Sequence, residues 1–363
     1  MASYCPNLNF FMLDGFQAIS CPLDPDEREH VINFKIENAL KGYPNLKFRD
    51  PCDAIAFKLA QEGIKLDALK VEVEPWLLPA PDLSYLDLLT VENVVAFIDS
   101  NGCLEYANLV CETLRDKDAE FISLIGVDHS ISGGVVKFLS EKFGPEDLAL
   151  VVLDSHFDAI TPSVRCGVIQ YDLENNPDTP FDPRDPYIMW RPESYNADSF
   201  LHFLVEEELV EPQNLVVAGV SDYPPQSAFE IDDPRIKKYL QHYLSFEKKG
   251  VEIIPKERLK IQKILKRAIK GLEAKYIYIS IDVDIGSKNA LTGARFLDYT
   301  GLSEDEVYRT VLEIVKLAQS NGIRFLGFDL METDVFKANC DRTFEIEANL
   351  FKILARNFSP STS

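Results

Sequence analysis

The chain has no surplus of basic residues. Its net charge is −22 over 363 residues. That argues against a nucleic-acid or anionic-membrane surface, because phosphate binding needs basic patches. Paired thiols are missing too: the seven cysteines are odd in number, scattered, and never form C-x-x-C. The pattern argues against a disulfide scaffold or thiolate zinc site and for a reduced protein with mostly buried thiols. No apolar run reaches transmembrane length. Met1-Ala2-Ser3-Tyr4-Cys5-Pro6 has neither a charged n-region nor a long apolar core. The expectation is therefore a cytoplasmic protein without a signal peptide. There is no internal repeat and no low-complexity tract. What is present is apolar residue, 46% of the chain, ample for one large α/β domain or two ordinary ones. The acidity is compatible with a cationic ligand.

Residues 1–85 are the least legible. Asp24 to His30 reads as a helix start, with His30 on a helix face, and prolines at 75, 79 and 81 mark an irregular connection. This segment is expected to be an N-terminal extension packed on a main domain spanning 86–363. From there strands and helices alternate. Helices are expected over 91–98, 104–114, 131–143, 200–209, 236–246 and 257–272. Strands are expected over 121–125, 148–153, 215–220, 251–254, 276–281 and 325–330. Residues 159–196 read as a long polar loop, the kind that serves as a lid or insertion. Ser303 with Glu306 forms a capping box, Leu302 with Val307 a staple, and Asp341 can cap a final helix. Apolar strands alternating with helices predict a three-layer α/β/α fold around a mainly parallel sheet.

Four strand ends carry chemistry. After 148–153 comes Asp154-Ser155-His156-Phe157-Asp158, with Asp154, His156 and Asp158 at alternate positions that share a face of an extended segment. Taken alone, this is as much a polar strand exit as a metal-binding one. The strand 121–125 ends in Asp128-His129, and 276–281 ends in Asp282-Val283-Asp284. The strand 325–330 ends near Glu332. On one rim of a parallel sheet, His129, Asp154, His156, Asp158, Asp282 and Asp284 can converge. Four carboxylates cannot be buried together unless cations compensate them. Oxygen donors with imidazole and no thiolate suit Mn²⁺ over Mg²⁺, Fe²⁺, Co²⁺ or Zn²⁺. Six donors exceed the needs of one tetrahedral ion and fit two metals sharing carboxylates.

Gly126-Val127-Asp128-His129-Ser130, Asp154 to Asp158, and Ser280-Ile281-Asp282-Val283-Asp284 together resemble the three signature motifs of the arginase/agmatinase (ureohydrolase) family, in the right order. The resemblance covers roughly 120–358. It implies one manganese held by His129, Asp154, Asp158 and Asp282, and a second held by His156, Asp154, Asp282 and Asp284. Asp154 and Asp282 would bridge, and Asp158 would also bond a bridging hydroxide. Glu332 matches the glutamate that pairs with the substrate's guanidinium, and a carboxylate suits a planar cation. The implied activity is hydrolysis of a linear amidine or guanidine C–N bond, agmatine-type amines first. The implied assembly is a homo-oligomer, trimer or hexamer.

The chain departs from the family pattern in places. Val127 stands for a usual glycine and Ser155 for a usual alanine. Ile285-Gly286-Ser287-Lys288-Asn289 replaces an Asp-Pro turn, so the loop there is rebuilt. The family's N-terminal strand has no evident counterpart. A frequent proton-shuttle histidine is missing, since none lies between Asp158 and Phe200. His202, and behind it His242, are the nearest substitutes, though a helix-face role is the plainer reading of each. Tyr171 and Asp172 are candidates for proton transfer or substrate contact. Cys166 reads as an inert thiol on the loop beside the site, Trp76 and Trp190 as packing residues, Trp190 also as a potential pocket wall, and Lys263, Lys266, Arg267 and Lys270 as a solvated helix face. Two other readings stay open: a single-zinc deacetylase-like hydrolase of the same fold, and a non-catalytic ligand-binding member.

Overall fold

The computed structural model describes residues 15–259, 262–298 and 300–358. Its strands are β1 (Phe16–Cys21), β2 (Ala68–Lys70), β3 (Phe121–Gly126), β4 (Leu148–Leu153), β5 (Leu215–Val220), β6 (Glu252–Pro255), β7 (Tyr276–Ile281) and β8 (Arg324–Leu330). They form one parallel sheet in the order β2-β1-β3-β8-β7-β4-β5-β6. The central strands are mostly apolar, β4 and β5 without a polar side chain, because both faces are covered. In β4, Leu148, Leu150 and Val152 enter one core while Ala149, Val151 and Leu153 enter the other. Helices Val91–Asp99, Gly102–Arg115, Ser132–Phe143, Phe200–Glu206 and Pro234–Lys249 pack on the first face. Helices Pro51–Gln61, Gln262–Lys270, Glu304–Ser320 and Thr343–Ala355 pack on the second. The result is the expected α/β/α sandwich.

Two expectations need correction. The N-terminal segment does not simply pack on the sheet: it supplies β1 and β2, with β1 paired along its length to β3. The stretch 159–196 is not all loop, for Pro162–Asn175 is a helix entered through a proline in its first turn. Its apolar residues do not gather on one face, so it carries no helical period to read. Within the expected helix 257–272, Lys256–Leu259 and Gln262–Lys270 are helical; residues 260 and 261 lie outside the described residues. The Ser303–Glu306 capping box is present, and Asp341 accepts the Thr343 N–H at 2.8 Å. Six cysteines are free, five of them buried and Cys340 exposed; Cys5 lies outside the described residues. His30 is exposed, Lys263, Lys266, Arg267 and Lys270 are exposed, and Trp76 packs against Phe97. Trp190 is 73% exposed and anchors nothing. Among the described residues no helix is long and apolar enough to cross a membrane.

Gly327 in β8 sits at φ +150°, and a Cβ there would come within 2.0 Å of the Ile122 carbonyl oxygen in β3. Only glycine allows the two backbones to approach so closely. Gly327→Ala is expected to destabilise the fold by about 3 kcal/mol, combining backbone strain with overpacking. The urea midpoint of unfolding measures it.

Candidate metal centre

The strands β3, β8, β7 and β4 are consecutive neighbours in the sheet. Their carboxyl ends place Asp128 and His129, Glu332, Asp282 and Asp284, and Asp154 to Asp158 on one rim, where open α/β sheets bind ligands. Three of the exits use the same local device. Asp128 Oδ1 accepts the Ser130 N–H at 3.2 Å, Asp154 Oδ1 accepts His156 N–H at 2.6 Å, and Asp282 Oδ1 accepts Asp284 N–H at 2.7 Å. Each aspartate therefore ties its own turn with one oxygen and keeps the other for the rim. Asp284 Oδ1 is fixed by the Ser155 N–H at 2.9 Å.

All six residues expected to hold metal come together. His129 Nδ1 lies 3.1 Å from Asp154 Oδ2, 2.9 Å from Asp158 Oδ2 and 3.7 Å from Asp282 Oδ2. His156 Nδ1 lies 2.8 Å from Asp284 Oδ2 and 3.6 Å from Asp154 Oδ1. Two groups have ligand atoms within 4.8 Å of one another: Asp154, His156, Asp282 and Asp284, and His129, Asp154 and Asp158. Asp154 belongs to both. His129 Nδ1, Asp154 Oδ2 and Asp284 Oδ2 are buried without a hydrogen-bond partner. Orphaned polar atoms of this kind are costly unless something binds them, and a pair of divalent cations fits.

The electrostatics agree. Burial, with Asp154 or Asp284 beside them, pushes Asp158 and Asp282 well above the usual carboxylate range, and burial also raises Asp284. Asp154 is lowered: burial opposes ionisation but the rings of His129 and His156 outweigh it. Burial disfavours a charged His129 ring, yet Asp154 and Asp158 hold its pKa well above normal. Without metal the cluster must hold protons. Cations would displace them.

A polar relay behind His129 was not assigned from sequence. His129 Nε2 lies 2.8 Å from Ser280 Oγ, and Ser280 donates to Asp329 Oδ1 at 2.8 Å. The Ile281 N–H bonds the same Asp329 oxygen at 2.9 Å. With its proton committed to Asp329, Ser280 accepts from Nε2–H, which turns the Nδ1 lone pair to the rim. An aspartate inside the apolar run of β8 was the available sign. Ser280→Ala is expected to weaken metal affinity about 10–100-fold, measurable by metal titration calorimetry.

A cavity of about 340 Å³ opens beside the cluster and is lined by His156, Asp158, Asp282, Glu332, Arg165 and Arg295, among others. Glu332 is only 3% exposed. Its Oε1 accepts the His129 N–H at 2.9 Å and faces Arg295 Nη1 at 3.4 Å, while Oε2 is buried and unpartnered. Burial, opposed by Arg295 and reinforced by Asp128, raises its pKa to about 7. Asp158 and Glu332 both adopt left-handed backbone, φ +51° and +66°, a conformation uncommon outside glycine. Cys166 also lines the cavity.

Tyr171, Asp172, His202 and His242 do not line it. Tyr171 is half-buried on the helix Pro162–Asn175, with the Arg235 guanidinium 5.7 Å from its ring. Asp172 bonds Asn176 and Thr179. The His202 and His242 rings lie 5.5 Å apart, tilted by 37°, and His242 Nε2 donates to the Ala159 carbonyl at 2.5 Å. Burial lowers both histidines.

A family model described as the Arginase family matches residues 58–354. A search of the curated proteins finds no match. Among solved structures, a formiminoglutamase variant from Trypanosoma cruzi with Mn2+ is 15% identical at a TM-score of 0.59, covering 97% of this chain and 97% of its own. Formimidoylglutamase from Bacillus subtilis is 17% identical at 0.54, covering 95% and 87%. Arginase from Bacillus subtilis is 17% identical at 0.54, covering 94% and 98%. At such identities the likeness is one of fold.

Proposed function

The chain belongs to the arginase family, and on that premise we propose that it is a dinuclear manganese-dependent hydrolase of a linear amidine or guanidine C–N bond. The observation that carries this reading is Asp154, buried, with one oxygen orphaned, and common to both donor groups. His129, Asp154, Asp158 and Asp282 would hold one ion, and His156, Asp154, Asp282 and Asp284 the other. Two such ions would supply a water ionised near neutral pH and electrostatic stabilisation of the negative charge developed at the carbon under attack. The chain's own residues do the rest. Glu332 Oε2 accepts an N–H from the cationic head and orients it. The Asp158 carboxylate, shared by cluster and cavity, holds the attacking water's proton. His202 and Tyr171, away from the cavity lining, are given no role.

The test is purified protein loaded with Mn²⁺, its metal counted, and urea or ammonia release followed over a panel of guanidino and amidino compounds, agmatine included. Two metals per chain with turnover on a panel member is the expected result. One zinc per chain would support the deacetylase-like reading instead. Two bound metals without turnover on any member would overturn the proposal. The homo-oligomer implied by the family belongs to the same proposal, and sedimentation equilibrium measures it.

A further inference from the structure

The rebuilt loop after β7 delivers a side chain to the site. Ser287 bridges to Leu291, and Ala294 pairs antiparallel with Thr333. The Asp334 N–H bonds the Gly293 carbonyl at 2.8 Å, and the Arg295 N–H bonds the Glu332 carbonyl at 2.9 Å. So pinned, the loop inserts Arg295 at the cavity wall, 6% exposed. Its Nη1 lies 3.2 Å from Asp128 Oδ2 and 3.4 Å from Glu332 Oε1, and its Nε lies 3.5 Å from Asp24 Oδ1. Three carboxylates, from the exits of β1, β3 and β8, thus surround one guanidinium. Arg28 holds the Arg295 carbonyl at 3.2 Å from the other side.

We propose that Arg295 is a specificity-determining residue, a resident guanidinium that takes the Oε1 side of Glu332 and leaves Oε2 alone to accept from the substrate's head. The inference rests on the hydrolase reading and narrows it. A guanidinium pairs most strongly with a carboxylate through two parallel N–H bonds, which need both oxygens. Here one oxygen already serves His129 and Arg295. A guanidinium substrate would also leave N–H groups without acceptors. An amidinium bearing hydrogen on its carbon, of the formimidoyl type, brings fewer donors and needs fewer partners. The site therefore ranks formimidoyl-type amidines above guanidines carrying the same side chain, and agmatine-type amines below their formimidoyl counterparts.

Matched compounds test this, N-butylformamidine and N-butylguanidine, each titrated calorimetrically into the Mn²⁺-loaded protein. Their kcat/KM ratio is measured wherever turnover occurs. The wild-type protein is expected to prefer the formamidine at least about tenfold, the effect of one unsatisfied buried donor. In Arg295→Ala the ratio is expected to collapse toward one, with added guanidinium chloride restoring the preference as it refills the vacated seat. Arg295→Lys, which keeps the charge without the fork, is expected to fall between. A wild-type ratio at or below one, or failure of both compounds to bind, overturns the proposal even if Arg295→Ala does not fold. A binding ratio as expected without turnover supports it while telling against the hydrolase reading.

Discussion

Asp154→Asn is expected to reduce activity by on the order of a thousand-fold or more, beyond the 10–100-fold usual for residues one step removed from a metal. The reason is its double membership. Asp154 is fully buried, its Oδ1 ties the turn to His156, and its Oδ2 faces His129 at 3.1 Å without a hydrogen-bond partner. The amide preserves the turn, since its oxygen can still accept the His156 N–H. It removes the charge that both donor groups use. Metal content per chain should therefore fall with activity. An asparagine variant that retains two tightly bound metals and near-normal turnover would rule out the shared position.

Glu347→Gln should change stability rather than chemistry, and the change should depend on pH. Glu347 lies on the helix Thr343–Ala355, is wholly buried, and among the described residues its side chain is hydrogen-bonded only by Thr333, the residue after Glu332. Burial raises its pKa from 4.5 to about 8, against a smaller opposing effect of Thr333. The folded state therefore keeps a proton that the unfolded state releases. The contribution is fully present below pH 4.5 and is lost as pH rises to about 8. Integrated over that window the loss is on the order of 4 kcal/mol. The neutral amide has no such dependence. Denaturant unfolding should give similar stabilities for wild type and Glu347→Gln near pH 5, and a more stable variant near pH 8. Parallel pH profiles for the two proteins would show that Glu347 is ionised in the fold.

The central strands were readable because burial on both faces leaves them mostly apolar: 148–153, 215–220 and 276–281 match the observed strands residue for residue. The clustered His129, Asp154, His156, Asp158, Asp282 and Asp284 were readable for a related reason, since polar side chains at the end of an apolar run must face a rim. β1 and β2 were not readable. Phe16-Gln17-Ala18-Ile19-Ser20-Cys21 mixes polar with apolar residues, and β2 is three residues long. Both are strands because β3 offers an edge to pair with, and that is tertiary information. Arg295 is the sharpest case. Nothing in Gly293-Ala294-Arg295-Phe296 marks an arginine as buried, and its three carboxylates come from 24, 128 and 332. Asp329 could have been found, as the one acid within a buried strand.

The position of β8 also orders events during synthesis. It is the last strand made, yet it lies between β3 and β7, pairing Ile122 with Gly327 on one side and Tyr276 with Arg324 on the other. A nascent chain that has not yet released Arg324–Leu330 leaves two apolar strand edges open in the middle of its future sheet, an aggregation hazard until they are filled. His129 is then not yet brought beside Asp154 and Asp282. Pairing across so long a stretch of chain is slow. The side-chain cluster is thus completed late in folding, and a chain cut short before residue 324 has its residues without their convergence.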